Sequence, residues 1–307
     1  MESIKVFAPA SVSNVGPGFD ILGFALEGMG DVLTLTKTDA ESFEIEAVGA
    51  ELPLDPDKNV ATVALKSFCK AINYDGGFHL KIEKNFTPGS GLGSSASSAV
   101  ASVFAASQLL KTGHSKKELI HYALDGEQVA SGNRHADNIA PCMLGGFVAV
   151  QQTDPYLGFG LSFPANLKAL IIFPDIPIKT FEARAILPKA LPIGTGIKQA
   201  ANMAGLVHGL ASADFDLIKD SLHDYFAQPY RKTLISGYDE VKRKCLEFGA
   251  YGFNLSGSGP TMFAFFKEDA VLDELKTVIA EMYAVIGKEV KFHESKINPR
   301  GVEVLKD

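Results

Sequence analysis

Paired cysteines, a surplus of basic charge and a lipid-compatible apolar run are all missing from this 307-residue sequence. Its three cysteines, Cys69, Cys142 and Cys245, are too few for a disulfide framework and too scattered for a zinc site. They read as buried thiols in a reducing compartment. The 29 Lys and Arg are outnumbered by 36 Asp and Glu, a formal net charge of −7. Phosphate-backbone binding needs clustered cations, so no nucleic-acid partner is expected. The opening MESIKVFAPAS lacks the charged-then-apolar order of a secretory signal, and a cytoplasmic location is expected. Residues 87–110 are uncharged and long enough for a membrane span, but seven serines and three glycines among them are wrong for lipid. No membrane partner is expected.

A hydrophobic share of 46% and a charged share of 21% favour a folded chain with a sizeable core, and the length favours two domains. There is no internal repeat and no low-complexity tract. IKVFA (4–8), VLTLT (32–36), FEIEAV (43–48), FHLKIEK (78–84) and GGFVAVQQ (145–152) read as strands. Apolar spacing predicts helices over 59–72 and 95–110. A third is predicted over 115–131, opened by Ser115 and Glu118 at capping-box spacing. Residues 153–166 are rich in Pro, Gly and aromatics without periodicity, and the domain boundary is placed there: 1–160 and 161–307. The second part opens on the strand LKALIIF (167–173). Helices follow, then the GFNLSGSGPTMFAFF segment (252–266), a helix over 271–285 and a final strand VKFHES (290–295). That order suggests a small open-faced α/β sandwich.

The richest segment is PGSGLGSSASSAV (88–100), between a strand and a helix. Its glycines let backbone N–H groups point into one concavity, and the helix start adds unpaired donors and a positive dipole end. The site selects a polyanion, a phosphate chain above all. No Gly-Lys-Ser/Thr ends the loop and no GxGxxG spacing is present, so neither a Walker A loop nor a dinucleotide fingerprint is read here. A hydroxyl such as Ser95 is a suitable Mg2+ ligand beside a triphosphate.

With PASVSNVGPGFDILGFAL (9–26) before it and NLSGSGPTMFAF (254–265) after it, this loop resembles the three ordered motifs of the GHMP kinases, the family that includes galactokinase, homoserine kinase and mevalonate kinase. The resemblance runs over nearly the whole chain. It implies an α+β, two-domain GHMP kinase fold, with an N-terminal ribosomal-protein-S5-like domain and a C-terminal ferredoxin-like α/β sandwich. It further implies ATP and Mg2+ as cofactors, with Pro88, Gly89, Ser90, Gly91, Leu92, Gly93, Ser94, Ser95 and Ala96 around the phosphates and Glu127 joining Ser95 on the metal. Asn59 and Val60, in DPDKNVA (55–61), match a region that contacts adenine; an Asp-Pro turn feeding a helix is an equal reading of the same residues.

Within the family, SNVGPGFD (13–20), GEQVASGNRHADNIAP (126–141), KTFEARAILP (179–188) and PYRKTLI (229–235) look most like the homoserine kinase branch. The resemblance implies phosphorylation of L-homoserine for threonine synthesis, and a homodimer. A zwitterionic amino acid calls for a carboxylate and for guanidinium forks, which Asp20, Arg184 and Arg231 supply by type. The match adds Asn14, His135 and Asn138 to the acceptor pocket, expected in the cleft between domains. Taken singly, Asp20 reads as a turn cap, Arg184 as a solvated charge, His135 as a structural histidine and Glu127 as a surface acid; their joint occurrence in matching runs reverses this. Whether Asp137 or Asn138 faces the hydroxyl stays open, and Asn138 can orient a hydroxyl but cannot take its proton; the resemblance implies a reaction without a dedicated base, and that reading is preferred. The alternatives are a mevalonate- or shikimate-type kinase, or an idle nucleotide-binding regulator on the same fold.

Overall fold

A computed structural model of the chain describes residues 2–132 and 134–306. Asn133, inside the 126–141 run, lies outside the described residues. The first part comprises β1 (Ser3–Ser13), β2 (Leu22–Thr38), β3 (Phe43–Val48), α1 (Val60–Ala71), β4 (Gly77–Glu83), α2 (Ser94–Leu109), α3 (Lys116–Ser131), α4 (Ala136–Leu144), β5 (Phe147–Gln152) and β6 (Leu157–Leu161). The second comprises β7 (Leu167–Pro174), α5 (Thr180–Ala185), α6 (Ile193–Ser212), α7 (Phe215–Ser221), α8 (Gln228–Arg231), α9 (Tyr238–Glu247), β8 (Phe253–Leu255), β9 (Met262–Lys267), α10 (Asp273–Val285), β10 (Val290–Lys296) and β11 (Glu303–Val304).

Among the described residues one sheet runs β11-β1-β2-β4-β3, with β5 on the first residues of β2 and β6 on β5. The β1–β2 register shifts between Pro9 and Ser11, where a proline without an N–H suits a broken ladder. Val6, Leu33, Leu35, Leu80 and Ile82 from this sheet pack against Phe68, Val100, Ile120 and Leu124 from α1, α2 and α3. α2 is buried nearly all round, and its alanines and serines let its neighbours approach. Local chemistry sets the flanking helix starts. The Asn59 side chain accepts from Ala61 N at 2.9 Å to cap α1, and Ser115 and Glu118 form the capping box of α3.

The second sheet, β10-β7-β9-β8, is antiparallel. One face, with Leu170, Ile172, Met262 and Ala264, packs on Val241 and Ile279 from α9 and α10. The other face does not stand open: Ala169, Ile171, Phe263 and Phe265 are buried with Phe24 and Phe147 of the first sheet. Phe24 lies 4.9 Å from Phe147 and 5.5 Å from Phe265, centroid to centroid, so one aromatic cluster joins the two sheets. The apolar run ALIIF (169–173) of β7 is what a strand buried on both faces requires.

Three elements depart from the sequence expectation. β6 forms inside the segment read as irregular, because two glycines in LGFGL mask its alternation. The HADNIAP run becomes α4, a short helix with Pro141 inside it and, among the described residues, no side-chain cap, so the acid Asp137 in its first turn is a weak mark of its start. The last strand is β11, not β10; it returns to pair with β1.

Candidate active site

The glycine-rich loop ends on Gly93, the residue before α2, with a left-handed φ of +69°. Among the described residues no side chain caps this helix, in contrast to α1 and α3. The first backbone bond of its opening turn is Ser97 N to Gly93 O at 2.9 Å, so the N–H groups of Ser94, Ser95 and Ala96 precede any helical acceptor. A Cβ on Gly91 would stand 2.6 Å from the Ser256 carbonyl, and one on Gly93 2.4 Å from Ser11 Oγ. The third motif buttresses the loop: Ser256 Oγ donates to Gly91 O and Thr261 Oγ1 to Ser90 O, both at 2.6 Å. Gly257 N reaches Ser13 O at 3.0 Å.

Beside the loop is a cavity of about 350 Å³, walled from both parts of the chain. On its glycine-loop side, Ser95 Oγ donates to Glu127 Oε2 at 2.7 Å, and Glu127 is only 8% exposed. Behind them Lys84 is paired with Asp31, both side chains 1% exposed. The Lys84 ammonium donates to Ser94 O at 2.9 Å and Ser98 Oγ at 3.2 Å; Asp31 accepts from Ser97 Oγ and, at 3.0 Å, from Asn85 N. Burial pulls the ammonium below the ordinary lysine value and Asp31 opposes it.

At the other end, the hairpin loop 14–21 projects from β1 and β2. Asn14 and Asp20 both adopt left-handed backbone, φ 57° and 56°, and Asn14 Oδ1 accepts from Asp20 N at 2.7 Å. Arg184, from α5, holds the Asp20 carboxylate with both nitrogens of its fork, at 2.8 and 3.4 Å. Arg184 Nη1 also donates to His135 Nε2 at 3.2 Å, which places the imidazole proton on Nδ1 when the ring is neutral. Burial favours that neutral form by lowering the His135 pKa. Arg231 is 3% exposed; its Nε donates to Ala183 O at 3.2 Å and its Nη1 to Gly257 O at 2.9 Å. Both guanidiniums stand over the Phe19 ring, at 5.8 and 5.1 Å from its centroid.

Between the two ends runs a short hydrogen-bonded chain. Ser11 Oγ donates to Asn138 Oδ1 and Asn138 Nδ2 to Ser13 Oγ, each at 2.9 Å, and the Ser13 hydroxyl bonds the Asp137 carboxyl. The chain orients the Asn138 amide with one Nδ2 hydrogen left over. Burial first, and the charge of Asp20 second, push the Asp137 carboxyl up to about 7.

Residues 59–146 match the GHMP kinases N terminal domain and residues 206–285 the GHMP kinases C terminal. The homoserine kinase of Chlorobaculum tepidum is 40% identical over 278 residues, 86% of each chain. The chain belongs to the GHMP kinases, in their homoserine kinase branch. A crystal structure of homoserine kinase from Cytophaga hutchinsonii is 39% identical with a TM-score of 0.95, covering 99% of this chain and 98% of that one. The mevalonate kinase of Methanococcus jannaschii, at 14% identity, 96% and 98% coverage and a TM-score of 0.73, shares the fold. As a GHMP kinase the chain is an ATP-dependent phosphotransferase acting on a hydroxyl.

Of the residues this GHMP kinase was expected to use, Asn14, Asp20, Glu127, His135, Asn138, Arg184 and Arg231 all line the one cavity, as do Val60, Pro88, Gly89, Gly91, Gly93, Ser94 and Ser95. Leu92 and Ala96 do not: their side chains are buried in the two cores, leaving only backbone to face a ligand. The Ser90 side chain is buried as well. Asn59 lines the cavity, while its side chain caps α1 and, through Nδ2, donates to Pro53 O at 2.8 Å. Asp20 and Arg184, expected on separate substrate groups, are paired with each other. Lys84, Ser13 and Thr180 line the cavity without having been singled out. Lys84 had a signal: it follows Phe78, Leu80 and Ile82 in the buried phase of β4, where alternation calls for an apolar side chain.

Proposed function

We propose that this chain transfers the γ-phosphoryl group of ATP to the side-chain hydroxyl of L-homoserine, giving O-phospho-L-homoserine for threonine synthesis. The observation that carries the reading is the cavity's polarity. Uncapped helix N–H groups and glycines stand at one end, and a carboxylate with two guanidiniums stands at the other. The first suits a triphosphate. The second suits an ammonium and a carboxylate, which mevalonate and shikimate cannot present together.

Residues 1–160 supply the phosphate loop, and 161–307 supply Arg184 and Arg231. Val60, with the backbone at Asn59, borders the place for the base. Mg2+ fits the donor set: the Ser95 hydroxyl and Glu127 carboxylate are hard oxygens in contact with one another at the loop, and Mg2+ normally completes its shell with water and phosphate oxygens. Bound there, it would neutralise charge on the phosphates. Asp20 receives the substrate ammonium, which competes with Arg184 for it; Arg184 and Arg231 receive the carboxylate. Asn138 turns its remaining N–H toward the acceptor hydroxyl. No dedicated base is assigned, since a loose phosphoryl-transfer transition state depends mainly on position and charge. Three buried free thiols suit a reducing cytoplasm. Among the described residues no helix is long and apolar enough to cross a membrane. A homodimer is proposed from the family resemblance alone.

ADP release measured over homoserine, mevalonate, shikimate and galactose tests the reading. Turnover with homoserine alone is the expected result. An inert homoserine with another acceptor active would overturn the substrate assignment and leave the family intact.

A further inference from the structure

Outside the cavity wall lies a buried polar cluster with no place in the chemistry above. Gln199, on the inner face of α6, is 3% exposed, and Asp224, in the segment before α8, is 5% exposed. Gln199 Nε2 donates at 2.9 Å both to the Pro17 carbonyl and to Asp224 Oδ1, while its Oε1 accepts from Tyr225 N at 2.7 Å. Asp224 accepts from the N–H groups of Phe226 (2.7 Å), Ala227 (3.1 Å) and Gln228 (2.7 Å). Three backbone donors and one amide leave no polar group of this pair idle.

What the pair joins is the point. Pro17 belongs to the hairpin loop that carries Phe19 and Asp20, and the N–H groups on Asp224 open the turn of α8 that ends in Arg231. These two pieces are far apart in sequence, and each bears one arm of the amino-acid pocket. We infer that Gln199 and Asp224 are positioning residues: they set the span between Asp20 and Arg231, and with it the affinity for an α-amino acid of one side-chain length. Buried amide hydrogen bonds suit the task because they are directional and cannot be exchanged for water. Among the described residues neither side chain bonds the glycine loop or lines the cavity, so the effect is expected on the amino-acid end. The inference rests on the amino-acid reading of the pocket proposed above.

The test is steady-state kinetics of Gln199→Met, which keeps the side chain's length and removes its hydrogen bonds, with Asp224→Asn striking the same cluster from its other end. The expected result is a homoserine KM raised roughly tenfold or more, as for a small misplacement of binding groups. The ATP KM should stay within about twofold, and discrimination between homoserine and serine should weaken. Gln199→Glu, which keeps the acceptor for Tyr225 N and donates again when protonated, should recover homoserine affinity in part as pH falls. An unchanged homoserine KM in a folded variant overturns the inference. So does a parallel rise in both KM values, which is the mark of general loosening. If neither variant folds, the pair is a folding element and the inference also fails. Wild-type enzyme assayed alongside separates the two claims: if it ignores homoserine and uses another acceptor, the functional reading fails, and the KM for that acceptor still decides the role of Gln199.

Discussion

Replacing Asp137 by Asn probes both the stability and the chemistry of the site. The folded carboxyl titrates at about 7, raised by burial and by Asp20, whereas an unfolded aspartate titrates near about 3.9. A folded-state pKa above the unfolded one contributes stability that is fully present below about pH 4 and lost as pH rises through about 7. The difference of about three units corresponds to on the order of 4 kcal/mol, at about 1.36 kcal/mol per unit. Asparagine has no such loss. Relative to wild type, the variant should therefore gain roughly 2.5 kcal/mol between about pH 5 and about pH 8, read as the change in urea-unfolding free energy difference across that range. A pH-independent difference would refute the reasoning, because it would mean the Asp137 carboxyl is not destabilised by its surroundings. The same variant decides the chemistry. With no dedicated base, kcat should stay within about tenfold of wild type; a fall of about 100- to 10,000-fold with KM unchanged would make Asp137 the base.

Glu127→Gln should weaken apparent Mg2+ affinity by about 10- to 100-fold while leaving the homoserine KM alone; an unaltered magnesium titration would remove Glu127 from the metal. Asp20→Asn exchanges a charged hydrogen bond, worth about 1.5–3 kcal/mol, for a neutral one, so the homoserine KM should rise roughly 10- to 100-fold with the ATP KM unchanged. Equal affinity for homoserine in the variant would show that Asp20 serves only Arg184. Lys84→Met leaves the Asp31 carboxylate buried without its cation and should cost about 3–5 kcal/mol in denaturant unfolding. Adding Asp31→Asn should recover much of that, and failure of the double variant to recover stability would dissolve the coupling.

The parts of the molecule legible in its sequence are those whose signal is local. Asn59 and Ser115 stand directly before the helices they cap, and the alternation of β3 and β4 shows in FEIEAV and FHLKIEK. The glycine loop declares itself because positive φ demands glycine at Gly89, Gly91 and Gly93. β6 and α4 were hidden because their residues have poor propensity for what they form, and packing against β5, β1 and β2 overrode it. Lys84 and Asp31, charges that fall in the buried phase of neighbouring strands, were not singled out, and neither residue alone reveals that they meet.

The sequence by itself determined which chemical groups exist and which short elements present them: a glycine-rich turn ahead of a helix, an acid, two guanidiniums and an amide in recognisable runs. It could not say that Asp20 grips Arg184 from 164 residues away, or that Gln199 ties Pro17 to Asp224. Those pairings depend on how the two sheets close on the Phe24, Phe147 and Phe265 cluster. Hydrophobic packing is nondirectional, so it brings distant segments together without writing their polar contacts into either one. The span of the pocket is a property of that closure and of nothing shorter.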